Sequence, residues 1–126
     1  MNEIKRFYDN FQLQFEETYL NGKLHGLSRG FHRNGNPDYE EMYNNGSLVN
    51  RKIHYMNGLL QCETNYKKGK KEGKYTSYHE NGKLHLEYNY IKSKIHGAYK
   101  IYSEDGKLIE DLRFVNGREA NVSIII

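Results

Sequence analysis

The chain contains no tryptophan and a single cysteine, Cys62, so no internal disulfide can staple it. That suits a reducing compartment, or a secreted protein that does without disulfides, and the expected location is the cytoplasm. The start, Met1-Asn-Glu-Ile-Lys-Arg-Phe7, lacks the apolar segment of a signal peptide, and no apolar run approaches the roughly 20 residues of a helical membrane span. An excess of one charge is missing too. With 19 Lys plus Arg against 16 Asp plus Glu, the net charge of +3 selects no polyanionic partner by itself. Hydrophobic residues make up only 37% of the chain, so any core must be thin. The apolar area comes largely from 12 Tyr and 5 Phe, amphipathic rings suited to a half-wet surface. There is no phosphate-binding Gly-x-x-x-x-Gly-Lys loop, no Gly-x-Gly-x-x-Gly, no His-Glu-x-x-His and no Gly-x-Ser-x-Gly. The reading is a non-enzyme with no cofactor and no metal.

What the chain has is a beat. Glycines at 22, 35, 46, 58, 69, 82, 106 and 117 return in steps that mostly alternate between 13 and 11, and the one long step misses its beat at Ser93, where flanking residues stay in phase. Two half-motifs alternate within a repeat of 23 to 24 residues. In the first, a ring lies three positions before the glycine (Tyr19, Tyr43, Tyr66, Tyr90, Phe114), and a cation usually follows it (Lys23, Lys70, Lys94, Arg118, with Ser47 the exception). Four residues after the glycine stand Gly26, Asn50, Gly73, Gly97 and Asn121, a series that predicts positive φ. The second half-motif carries Phe31, Tyr55, Tyr78 and Tyr102, then Pro37, Leu60, Leu84 and Leu108, then the acids Glu40, Glu63, Glu87 and Asp111. Stepping back one repeat finds Phe7, Asn10, Leu13 and Glu16 in register, with Phe11 where glycine would be. Residues 4–16 therefore read as a capping half-repeat.

Turn chemistry names the repeated element. Six Asn-Gly pairs, at 21–22, 34–35, 45–46, 57–58, 81–82 and 116–117, and one Asp-Gly at 105–106 are the preferred residues of tight hairpin turns, where both central residues take φ > 0. Turns this frequent leave strands of about six residues. The expected architecture is all-β: an elongated, single-layer antiparallel meander of stacked hairpins with about ten strands. It forms one repeat domain over 1–126, with repeats over 17–121 and an edge strand or tail over 122–126. Rows of equivalent residues then run across the sheet. The acids of one row would repel each other unless Lys and Arg of neighbouring strands interleave with them, which is the expectation here.

The phrases Tyr19-Leu-Asn-Gly-Lys-Leu-His-Gly26, Tyr66-Lys-Lys-Gly-Lys-Lys-Glu-Gly-Lys-Tyr75 and Tyr78-His-Glu-Asn-Gly-Lys-Leu84 resemble the MORN repeat, in its bacterial variant. The resemblance covers about residues 4–121, is closest over 66–87 and 90–111, and is weakest over 43–63. It implies a sheet of stacked hairpins without catalytic machinery. Similar proteins include antitoxins of toxin–antitoxin pairs, scaffolds and membrane-associated adaptors. The motif residues are framework, so no binding site carries over from them.

The functional expectation is a module that binds and neutralises a protein partner, be it a toxin, an effector or a host protein, along a ring-rich face, with Tyr75, Tyr78, Tyr99 and Tyr102 as candidate contacts. The alternative is a peripheral adaptor that meets anionic lipid through the turn bearing Lys67, Lys68, Lys70, Lys71 and Lys74. Stacking of nucleic-acid bases on Tyr75 and Tyr99 is disfavoured because rings recur there as framework. His25 and His96 lie three repeats apart and cannot share an ion, whereas His79 and His85 flank one turn and can approach each other. Two histidines without a positioned carboxylate or thiolate make a weak metal site. The eight beat-keeping residues Gly22, Gly35, Gly46, Gly58, Gly69, Gly82, Gly106 and Gly117 are assigned to turn structure. Open sheet edges leave a homodimer as a further option.

Overall fold

The computed structural model describes residues 1–120. Its strands are β1 (Asn2–Phe7), β2 (Leu13–Leu20), β3 (Lys23–Leu24), β4 (Gly26–Phe31), β5 (Pro37–Asn44), β6 (Ser47–His54), β7 (Leu60–Lys67), β8 (Lys70–Lys71), β9 (Gly73–Tyr78), β10 (Leu84–Ile91), β11 (Lys94–Tyr102), β12 (Leu108–Val115) and β13 (Arg118–Glu119). All 13 join one open antiparallel sheet in the order β1-β2-β4-β5-β6-β7-β9-β10-β11-β12-β13, with the short β3 and β8 pairing with β2 and β7. Ten have six to nine residues, and β3, β8 and β13 have two. β3 runs into β4, and β8 into β9, past His25 and Glu72, whose amides donate to the carbonyls of Thr18 and Asn65 at 2.9 and 3.0 Å. Among the described residues there is no helix, hence none able to cross a membrane. The expected tail or edge strand at 122–126 lies outside the described residues, as does Asn121.

Among the described residues no hydrophobic side chain is fully buried. A single layer has no second layer to cover it, so order must come from backbone ladders and from contacts between repeats. The two faces divide the chemistry, because alternate residues of a strand point to opposite sides. On one face the cross-strand partners Lys5, Glu16, Arg29, Glu40, Lys52, Glu63, Thr76, Glu87, Lys100 and Asp111 form a continuous row. Signs alternate along nearly all of it, as the acid spacing predicts, and Arg29 Nε donates to Glu16 at 2.6 Å. The other face carries the buried Ser28, Thr64 and Ser77 and most of the paired rings.

Two kinds of reversal alternate along the ribbon. One long side carries two-residue turns in which both residues have positive φ: Asn21 and Gly22, Asn45 and Gly46, Lys68 and Gly69, Lys92 and Ser93, Asn116 and Gly117. At Lys92 and Ser93 the geometry survives without glycine, at φ of 51° and 68°. The other side differs from expectation. There the Asn-Gly pairs sit in three-residue loops, closed by His32 N–H to Asn36 O, His79 N–H to Lys83 O and their equivalents at 2.8 to 2.9 Å, and only the glycine has positive φ. This is a type I turn followed by a left-handed residue, the usual three-residue hairpin. The eight beat-keeping glycines have φ between 78° and 92°.

Asparagine in these loops bonds in two directions. Asn34, Asn57 and Asn81 accept from the amide two residues on at 2.9 Å, and their side-chain amides donate to the carbonyls of Met56, Glu80 and Glu104 in the next repeat at 2.7 to 3.1 Å. On the opposite side the amides of Gly46, Ser93 and Gly117 donate to Leu24, Lys71 and Ile95 of the preceding repeat at 2.7 to 3.0 Å. Both margins are thus laced repeat to repeat.

Two assignments are corrected. Tyr55 is not the equivalent of Phe31, Tyr78 and Tyr102; His54 is, since it alone pairs with the strand-opening Leu60 as those pair with Pro37, Leu84 and Leu108. That repeat is one residue short, which moves Tyr55 into the loop-closing position of His32 and His79. Asn50 does not take positive φ as Gly26, Gly73 and Gly97 do. Its amide instead donates to Glu63 and Asn65, both at 2.9 Å.

Candidate functional site

The feature that stands apart is a band of rings over β9 to β12. Tyr88 stacks on Tyr75 and on Tyr99, each with centroids 4.8 Å apart, and Phe114 continues the line at 5.1 Å from Tyr99. Tyr90 meets Tyr75 and Tyr88 edge-on at 6.5 and 5.4 Å. The rings assemble because Tyr75, Tyr88 and Tyr99 are direct cross-strand partners. Such pairs add about 0.5 to 1.5 kcal/mol each beyond the area they bury.

Crowding reshapes their acidity. Burial, with Cys62 beside it, pushes the Tyr75 hydroxyl up to about 12. Burial, then the Tyr90 hydroxyl at 3.3 Å, raises Tyr88 as well. The Cys62 thiol is itself pushed up by burial, which keeps it protonated and a poor nucleophile. These hydroxyls serve as neutral hydrogen-bonding groups at physiological pH.

The sequence-selected tyrosines do not form one set. Tyr75 and Tyr99 lie in the band, but Tyr78 and Tyr102 are an odd number of residues away along β9 and β11 and so face the charged side. There their carbonyls accept from Tyr55 Oη at 2.5 Å and His79 Nε2 at 2.9 Å, contacts that tie repeats together. Tyr88, Tyr90 and Phe114 complete the band. Tyr90 and Phe114 occupy the ring position before the turn in the sequence repeat, but Tyr88 has no recurring signal, since its equivalents include Glu17 and Glu41. In that N-terminal half of the face Tyr19 and Tyr43 donate to Glu17 and Glu41 at 3.2 and 3.1 Å, and Arg51 donates to Glu41 at 2.7 Å. The ring face is therefore polar toward one end and aromatic toward the other.

The lysines also divide. Lys71 Nζ lies 5.4 Å from the Tyr90 ring centroid, and Lys74 pairs with Glu87 at 3.2 Å. Lys67, Lys68 and Lys70 line a shallow hollow of about 370 Å³ with Glu72 and Lys92, a residue the sequence reading did not include. Lys92 N–H donates to Glu72 at 3.1 Å, which carries the neighbouring turn into the cluster.

His79 and His85 do meet, with ring centroids 4.3 Å apart, in a hollow of about 570 Å³ lined also by Tyr55, Glu80, Asn81 and Glu104. Burial, and then His79, lowers the His85 pKa. Among the described residues no three His, Cys, Asp or Glu side chains come together to hold a metal ion. His32 sits at its own loop with Nε2 buried, 3.6 Å from Asp38 and without a hydrogen bond.

Comparison with known families agrees with this geometry. The MORN repeat variant matches residues 24–45, 71–92 and 95–116, together more than half of the chain. The chain belongs to the MORN repeat variant family. Each MORN match runs from the strand after a two-residue turn, through the three-residue loop, to the next two-residue turn. The stretch left between the first two matches holds the shortened repeat with His54 and Asn50, yet β6 and β7 pair there as the other MORN strands do. MORN repeats are in general protein- or membrane-interaction modules. No curated protein shows significant similarity to the chain.

Proposed function

We propose that this MORN protein is a non-enzymatic cytoplasmic scaffold that holds a protein partner against the rings over β9 to β12 and neutralises it, in the manner of an antitoxin, immunity protein or inhibitor. The observation that carries the reading is the contiguous band of Tyr75, Tyr88, Tyr90, Tyr99 and Phe114 on one face of an open sheet. Rigid tyrosines supply large contact area at low entropic cost and are enriched where partners dock. The same openness supports the non-enzymatic part, because a reaction centre needs a pocket that excludes water.

The test compares the chain with a Tyr88→Ala, Tyr99→Ala double variant and with Tyr102→Ala, whose side chain faces the other way, in affinity capture followed by mass spectrometry. A protein held by the wild type and by Tyr102→Ala, and lost from the double variant, is expected. Equal capture by all three, or none above background, overturns the proposal.

The hollow among Lys67, Lys68, Lys70 and Lys92 supports a second reading, contact with anionic lipid headgroups. Each lysine near an anionic surface contributes about 1 kcal/mol. Flotation with phosphatidylserine vesicles should then fail for the Lys67→Glu, Lys68→Glu, Lys70→Glu variant; binding that persists in it removes this reading.

A further inference from the structure

The outer edge of β1 is open: the sheet order begins there, and among the described residues no strand pairs with its far side. All six residues of β1 are exposed, Ile4 at 49% and Phe7 at 55%. Such an edge is a template for another strand unless it is shortened, kinked or made unsuitable by charge. β1 carries charges, but their order is Asn2-Glu3-Ile4-Lys5-Arg6, a string that complements itself when reversed. We propose that two copies of this chain join through β1 in antiparallel register about Ile4.

Elimination gives the register. A two-fold axis normal to the sheet keeps each face with its like, so residues pair only with partners of the same parity. Centring on Glu3 puts two carboxylates face to face on the axis, and centring on Lys5 does the same with two ammonium groups, both destabilising. Centring on Ile4 sets Ile4 against Ile4 of the second copy, Glu3 against Lys5 twice, and Asn2 against Arg6 twice. The charged row is then extended without a break in sign, from Glu16 through Lys5 of one copy to Glu3 of the other, since Lys5 is already the cross-strand neighbour of Glu16. At the opposite end β13 covers β12 only at Phe114 and Val115 among the described residues, and the rest of that edge, 108–113, sets two acids, Glu110 and Asp111, against one cation, Arg113.

The product is one continuous sheet with both ring bands on the same face, at its two far ends. It would hold two partner molecules, or two sites on one partner, with the avidity that linkage brings. A strand-to-strand joint of this length is small beside a standard interface, so the dimer is expected to be weak and concentration-dependent.

The experiment is sedimentation velocity on the full chain from about 1 to about 500 µM, a range that brackets weak association, with Glu3→Lys and Lys5→Glu variants. Wild type should pass from one to twice the chain mass. Glu3→Lys alone places lysine opposite lysine, and Lys5→Glu alone places glutamate opposite glutamate, so each should stay monomeric. Mixed in equal amounts, the two variants restore opposite charges in both pairs and should recover the wild-type mass. A wild type that stays monomeric, growth beyond two copies, dimers of either variant alone at the wild-type concentration, or no recovery on mixing would overturn the proposal. Circular dichroism of each variant separates loss of pairing from loss of fold, and an unfolded Lys5→Glu leaves Glu3→Lys against wild type to decide it.

Discussion

At the residue scale, small deviations from the repeat say more than the repeat does. Gly30 lies inside β4 and has ordinary negative φ, but the ring of its cross-strand neighbour Tyr39 occupies the place a Cβ would take. Gly30→Ala is therefore expected to displace that ring and destabilise the chain by about 1 to 3 kcal/mol in urea titration. Ser93 is the reverse case. Its φ of 68° strains an L side chain where glycine would rest, so Ser93→Gly is expected to raise stability by about 1 kcal/mol. His85 gives a pH signature. Held below its ordinary 6.5, it binds a proton in the unfolded chain before it does in the folded one. The unfolded state thus holds more protons below that value, and stability should fall as pH drops from 7 toward 5, with the full contribution present above. Chemical denaturation across that range should show the decline, and His85→Gln should flatten it.

At the element scale, the margins hold the hairpins in register. Asn57 accepts from Leu59 N–H within its loop and donates to Glu80 O in the next repeat, at 2.9 and 3.1 Å. Asn57→Ala removes both, and a loss of about 1 to 2 kcal/mol in the urea midpoint is expected, larger than for a surface asparagine with one bond. The hairpin order and the alternating charge row were legible in the sequence, because turn residues and acids recur at fixed offsets. The type of turn was not. Asn-Gly suits a two-residue turn through its backbone and a three-residue loop through its side chain, and only the pairing on either side distinguishes them. The shift of Tyr55 was hidden by a one-residue deletion inside β6, which leaves the composition of the half-motif intact. The ring band was half legible: Tyr75 and Tyr99 recur, whereas Tyr88 enters at a position other repeats give to acids, and strand parity excludes Tyr78 and Tyr102.

At the scale of the whole molecule, no hydrophobic side chain among the described residues is fully buried, so cohesion is summed from nearest-neighbour terms along the ribbon. Hydrogen exchange should reflect this. β1, exposed along its length and bonded on one side, is expected to exchange fastest among the long strands, and β6, β7 and β9, bonded on both sides and central in the order, slowest. Uniform protection from β1 to β12 would instead indicate a single cooperative unit.

The alternating row of acids and bases has one more consequence. Because every repeat except the one with Thr76 contributes an opposite-sign couple in the same order, a segment of one full period drawn from those repeats could be duplicated or excised in frame and the new neighbours would still attract. The length of this ribbon is thus free to drift by whole units over evolutionary time, while any insertion of half a period would set like against like.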